Sequence, residues 1–200
     1  MSDDKIPIPD QSIIERRFAF IENEILRTNI IIAFRYIVFL INLEQNTQLP
    51  GPIIYSLHKD MIVQTAIIVE SCVHYLLKSY LESKRISDAV LQTDWKEDKC
   101  VIIEESDHGN RQICAIIRHK NTILLTKHTQ FVVLNRICLR ASLFNRSIFN
   151  SVEELREARN KIHLAGLESI DEIYEKDEVD LQFKNAQRVI NHIEKKLKEL

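Results

Sequence analysis

Residues 56–84 read SLHKDMIVQTAIIVESCVHYLLKSYLESK. Ile62, Ala66, Val69, Val73, Leu76, Leu77 and Tyr80 recur at steps of three and four, the period of a helix with one apolar face. The spacing predicts one strong helix over about Ser56–Lys84. Just upstream, NTQLPGP at 46–52 is the clearest breaker in the chain. Residues 12–46 before it are also apolar at helical spacing, through Ile14, Phe18, Ile21, Ile25, Ile32, Tyr36, Phe39 and Leu40. They predict one long helix, or two with a break near Thr28 and Asn29. The run NIIIAFRYIVFLINL at 29–43 carries Arg35 and falls short of the roughly 20 apolar residues of a membrane span. It reads as a buried or dimer-facing helix, with no membrane partner expected.

Downstream the period changes. CVIIEE (100–105) and RQICAIIR (111–118) are β-rich and flank SDHGN, whose Gly109 suits a hairpin turn. A two-stranded hairpin is expected at about 100–118. Because a lone hairpin is marginal, it is expected to pack on the helices or on a partner. Between the long helix and the hairpin, SDAVLQ suggests a short helix. Helical spacing resumes near Thr129, and a last amphipathic helix is expected from about Glu178 to the C-terminus.

Composition agrees with a mainly α fold. The 200 residues include only 3 Gly and 4 Pro, too few for the tight turns of a sandwich or a doubly wound sheet. Hydrophobic residues make up 45% and charged residues 28%, a globular balance. The expected organisation is a flexible arm at 1–11 and a single helical domain at 12–200. Cys72, Cys100, Cys114 and Cys138 show no metal-binding spacing. They predict free thiols in a reducing, cytoplasmic setting, with no metal and no cofactor.

A net charge of −2 gives no global field for nucleic acid. The charge is uneven, however. Positions 136–161 hold six bases (Arg136, Arg140, Arg146, Arg156, Arg159, Lys161) against three acids, whereas 166–180 hold seven acids and Lys176.

The candidate site lies in SVEELREARNKIHLAG, residues 151–166. Ser151 and Glu154 fit a capping box, and Gly166 fits the position just past a C-terminus. A helix is therefore expected over about 152–165. Leu155, Ala158, Ile162 and Ala165 fall on its core side, and Glu154, Glu157 and Lys161 on the opposite side. Arg156, Arg159, Asn160 and His163 form a third stripe.

Arginine offers phosphate a planar fork of donors and keeps its charge. Histidine, titrating near roughly 6.5, moves protons at neutral pH. RNA supplies its own nucleophile, the 2′-hydroxyl, so Arg and His together suit phosphodiester cleavage without metal. The same residue types also suit a solvated, salt-bridged face.

The segment RNKIH, with Arg156 upstream, resembles the signature of the HEPN (higher eukaryotes and prokaryotes nucleotide-binding) superfamily: an Arg, four to six residues, then a His. Arg156 to His163 fits with six intervening residues. Arg159-Asn160 matches the family's Arg-polar pair, but only three residues separate Arg159 from His163, so which arginine corresponds stays open. The long helix, the motif helix and the terminal helix are similar to HEPN bundles. The first 50 residues and the hairpin are not covered.

The resemblance implies a four- or five-helix bundle that forms a homodimer, with the two motifs in a shared cleft. It implies a metal-independent endoribonuclease acting as a toxin or defence effector, with an antitoxin or defence-system protein as a partner. Ala165 stands where some members carry a tyrosine that a nucleotidyltransferase antitoxin modifies, so that form of control is not implied. The expected roles are His163 for proton transfer, Arg156 and Arg159 for the phosphate, and Asn160 for orientation.

Glu70 and His74, four apart on the long helix, are expected to support the site, or else to form a local pair on its flank. Arg136, Arg140, Arg146 and Lys161 are expected to line an RNA path, with a solvated face as the alternative. A second class of function is a non-catalytic, HEPN-like dimeric module that binds RNA, a nucleotide or a protein, and a third is a purely structural dimerisation domain held by the Ile-rich N-terminal helices.

Overall fold

The structure is a computed structural model, and it describes residues 11–92, 96–105, 112–161 and 174–200. Its centre is the helix read first, α3 (Gly51–Glu82). Every residue of the predicted stripe is buried, and so are Leu57, His58, Met61, Thr65, Ile68 and Cys72. A helix apolar on more than one face needs neighbours on several sides. α3 has them: α2 (Glu24–Asn46), α4 (Phe131–Arg140), α5 (Arg146–Asn160) and α6 (Lys176–Leu197) all pack on it. Its length and composition would also allow a membrane crossing, but in this fold it is the helix around which the others assemble. Pro52 sits in its first turn, where the missing N–H costs nothing.

The N-terminal region is two helices, with the break earlier than the expected position near Thr28 and Asn29. α1 spans Gln11–Arg17. The chain then turns through Phe18 and Ile21, both buried, and α2 begins after Asn23. The Asn23 side chain accepts the Leu26 amide at 2.8 Å, and this cap fixes where α2 starts. α2 buries Ile30, Ile31, Ile37 and Leu40 and leaves Ile25, Ile32 and Tyr36 outward.

The hairpin is present as β1 (Lys96–Glu105) and β2 (Gln112–His119), antiparallel, with Cys100 opposite Ile116 and Ile102 opposite Cys114. Its turn, with His108 and Gly109, lies outside the described residues. A short 3-10 helix at Asp88–Leu91 matches the SDAVLQ expectation. At the hairpin's base the Ile123 amide donates to the Leu91 carbonyl at 2.8 Å. Of the two supports expected for the hairpin, the helices and a partner, the described helices do not supply the first. Val101, Ile102, Ile103, Ile113, Ile116 and Ile117 are all exposed, so neither face has apolar cover among the described residues.

The helix carrying the candidate site starts earlier than its expected boundary at 152. Asn145, not Ser151, is the N-cap, accepting the Ile148 amide at 2.9 Å. Ser151 is buried inside α5, because Ile148, Val152 and Leu155 continue one core stripe across it. α5 ends at Asn160, with Lys161 as C-cap. Ile162, Ala165 and Gly166 lie outside the described residues, as do residues 1–10 of the N-terminal arm.

Candidate functional site

Three elements converge on one open cleft of about 470 Å³. α5 contributes Arg156, Arg159 and Asn160, and α3 contributes Glu70. The turn before α4 and the start of that helix contribute Lys127 to Val132.

The arginines reach the cleft because of where they sit on α5. Leu155 and Ala158 are buried against the bundle, so residues 156 and 159, about 100° from that stripe, fall at its border with solvent. Both guanidinium groups are half-buried and both are held. Arg159 donates to Glu70 at 2.7 Å. Arg156 donates through Nε to Glu153 at 2.9 Å and faces Glu157 at 3.4 Å. Glu153 is steadied in turn by Asn135, whose Nδ2 donates to it at 2.6 Å and to the Phe149 carbonyl at 3.1 Å. A guanidinium has five N–H donors, so donors remain on each arginine for a ligand in the cleft.

Glu70 and His74 act on different walls. Glu70 holds Arg159 on the α5 side. His74 donates from Nε2 to the Thr126 carbonyl at 3.2 Å, on the side of the turn. That turn is closed by its own hydroxyls. Thr126 Oγ1 accepts the His128 amide at 3.2 Å, and Thr129 Oγ1 accepts the Thr126 amide at 2.9 Å. One helix face, through residues a single turn apart, therefore positions both rims of the cleft.

The cleft is cationic. Lys127, Arg156 and Arg159 line it with one carboxylate, Glu70, among the described lining residues, while Glu153 and Glu157 offset part of that charge by pairing with Arg156 from α5 itself. The N-terminus of α4 lies at the same cleft through Gln130, Phe131 and Val132, and Gln130 gives that helix no side-chain cap.

Burial raises the Glu70 carboxyl above its ordinary 4.5, against the opposing pull of Arg159 and His74. A carboxyl raised in the folded state contributes stability that is complete below its unfolded value and is lost as pH rises through the folded one. Glu70→Gln removes this component. Between about pH 4 and pH 7 the variant is expected to lose less stability than the wild type, read from urea unfolding at each pH.

Of the expected site residues, Arg156, Arg159, Asn160 and Glu70 come together, and His74 stands behind the opposite wall. His163 lies outside the described residues. Lys161 caps α5 and is exposed, and it is not among the cleft residues. Arg136, Arg140 and Arg146 line a different groove of about 620 Å³, together with Lys96 and Phe149. There the Arg146 guanidinium lies 5.1 Å from the Phe149 ring centroid, and Arg140 donates to the Gln92 carbonyl. No group of three or more His, Cys, Asp or Glu side chains able to hold a metal occurs among the described residues.

His128 has no partner at helical or zinc spacing in the sequence, yet in the fold it lines the same cleft as Lys127 and the two arginines. His58 and His192 likewise have no such partner in the sequence. His58 is buried, with Nδ1 2.6 Å from the Tyr174 carbonyl and Nε2 3.1 Å from Glu44. His192 donates to the Leu143 carbonyl at 2.8 Å. All of these pairings are between elements, so no local spacing could have found them. No protein-family model matches the chain, and comparison with curated proteins and with solved structures returned no match.

Proposed function

We propose that this chain is a metal-independent endoribonuclease of HEPN type, a toxin or defence effector that cleaves RNA by attack of the 2′-hydroxyl. One observation carries the reading: two arginines and an asparagine from consecutive turns of α5 line a cationic cleft, with Arg159 fixed by a half-buried carboxylate. Fixed guanidinium donors are suited to the charge that builds on a pentacovalent phosphate. Arg156 and Arg159 bind the phosphate, Asn160 orients it, and His163 moves protons. Arg136, Arg140 and Arg146 guide a longer strand along their own groove. The outward apolar residues of α2 and of the hairpin support self-association, since apolar side chains left uncovered in one chain favour burial against another.

The test is incubation of the wild type and of His163→Ala with single-stranded RNA in EDTA. Cleavage by the wild type is expected, leaving 2′,3′-cyclic phosphate and 5′-hydroxyl ends, with loss of about 10²–10⁴-fold in the variant. Equal rates for the two proteins would remove His163 from the mechanism, and an inert wild type would remove the nuclease.

A second reading has its own observation. Both arginines already hold carboxylates, Arg156 two of them. That pairing suits a dimeric module that binds RNA, a nucleotide or a protein without cutting it. Tight RNA binding with intact RNA recovered is its signature.

A further inference from the structure

The proposed reaction moves two protons. A base takes one from the 2′-hydroxyl as its oxygen bonds to phosphorus. An acid gives one to the 5′ oxygen as the P–O5′ bond breaks. A single histidine per chain leaves one of these roles unfilled. In the HEPN-type reading the second histidine comes from another copy. The cleft offers another source.

His128 stands on the wall facing α5, next to Lys127 and across from Arg156, Arg159 and Asn160. It is exposed, and its imidazole makes no hydrogen bond to the described residues. Its backbone, by contrast, is fixed. The His128 amide is held by Thr126 Oγ1, and the Thr126 carbonyl is held by His74 from α3. A ring with no hydrogen bond among the described residues, on a fixed backbone and at the lining of an arginine-bearing cleft, is the arrangement expected of a group that meets its ligand rather than its own chain. On the bland reading His128 is an exposed turn residue. That reading leaves unexplained why the face of α3 that fixes Arg159 also fixes the turn bearing His128.

Resting on the nuclease reading above, we infer that His128 is the proton donor to the departing 5′ oxygen, supplied by the same chain as the arginines. Balance is complete without metal or redox partner: one proton leaves the 2′-hydroxyl, one arrives at the 5′ oxygen, and one P–O bond replaces another. His74 is then a positioning residue, acting through Thr126.

The experiment compares wild type and His128→Ala on two substrates. One is a single-stranded RNA oligonucleotide. The other is a nucleoside 3′-(p-nitrophenyl) phosphate, whose leaving group departs as a stable anion and needs no proton. Affinity for the matching 2′-deoxy oligonucleotide, which cannot be cut, serves as the control for fold and binding. Loss of at least about 100-fold on RNA is expected, with the nitrophenyl ester turned over within about threefold of wild type. The RNA rate profile should also lose one limb of its bell-shaped pH dependence.

Equal losses on both substrates, or none on either, overturn the assignment while leaving the nuclease intact. A wild type inert on both substrates removes the nuclease reading, and this inference with it.

Discussion

Arg159→Ala is expected to slow RNA cleavage by about 10²–10³-fold, the usual cost of deleting one fixed donor to a developing oxyanion. Arg159 is held by the 2.7 Å bond to Glu70 across α3 and α5. Its partner lies on another helix, so its position depends on the bundle and not on α5 alone. Binding of a 2′-deoxy oligonucleotide should weaken by less than about tenfold, because a phosphate contact at a partly exposed site contributes modestly to ground-state affinity. The loss should therefore appear mainly in the single-turnover rate. Arg159→Lys keeps the charge but not the planar fork, and should recover only part of the rate. An alanine variant that cleaves at the wild-type rate would leave Arg159 a structural ion pair.

Asn135→Asp is expected to destabilise the fold by at least about 3 kcal/mol, the range for an uncompensated charge in a buried site. Asn135 is 0% exposed. It gives both amide hydrogens away, one to the Phe149 carbonyl and one to Glu153. An aspartate has no donors to give, and it would put a second carboxylate where the first is 2.6 Å away. Two carboxylates that close share a proton. The folded variant then holds a proton that the unfolded chain releases, and its stability falls further as pH rises. Adding Glu153→Gln should recover about half of the loss, because an amide can donate where a carboxylate repels. Urea unfolding of the three proteins at two pH values measures all of this. A midpoint unchanged in Asn135→Asp would mean that water reaches the pair. The same bond carries a consequence for the cleft, since Glu153 also orients Arg156.

Much of the fold is legible in the residues. α3, the terminal helix and the hairpin follow from apolar periods, and a period records which side of an element must be covered. Boundaries were less legible where two residues competed to cap. Ser151 with Glu154 has the form of a capping box, but Ser151 faces the core and Asn145 is free to turn its side chain back on the helix. In the same way, Thr28 and Asn29 look like a break, yet Asn23 caps α2 and the helix runs through both. Local chemistry proposes caps, and burial chooses among them.

The candidate site divides along the same line. Sequence alone determined that Arg156, Arg159 and Asn160 share one stripe beside a core face, because helical geometry fixes neighbours three and four apart. It also placed Glu70 and His74 on one face of α3. Only the tertiary structure decided what those faces meet. The bond from Arg159 to Glu70 spans 89 residues, and that from His74 to Thr126 spans 52. Contacts of that separation depend on how α3, α4 and α5 cross. The crossing is set by the shape of the whole packed core, which no single segment encodes. For that reason His128, whose ring has no partner at helical spacing, lines the same cleft as the two arginines.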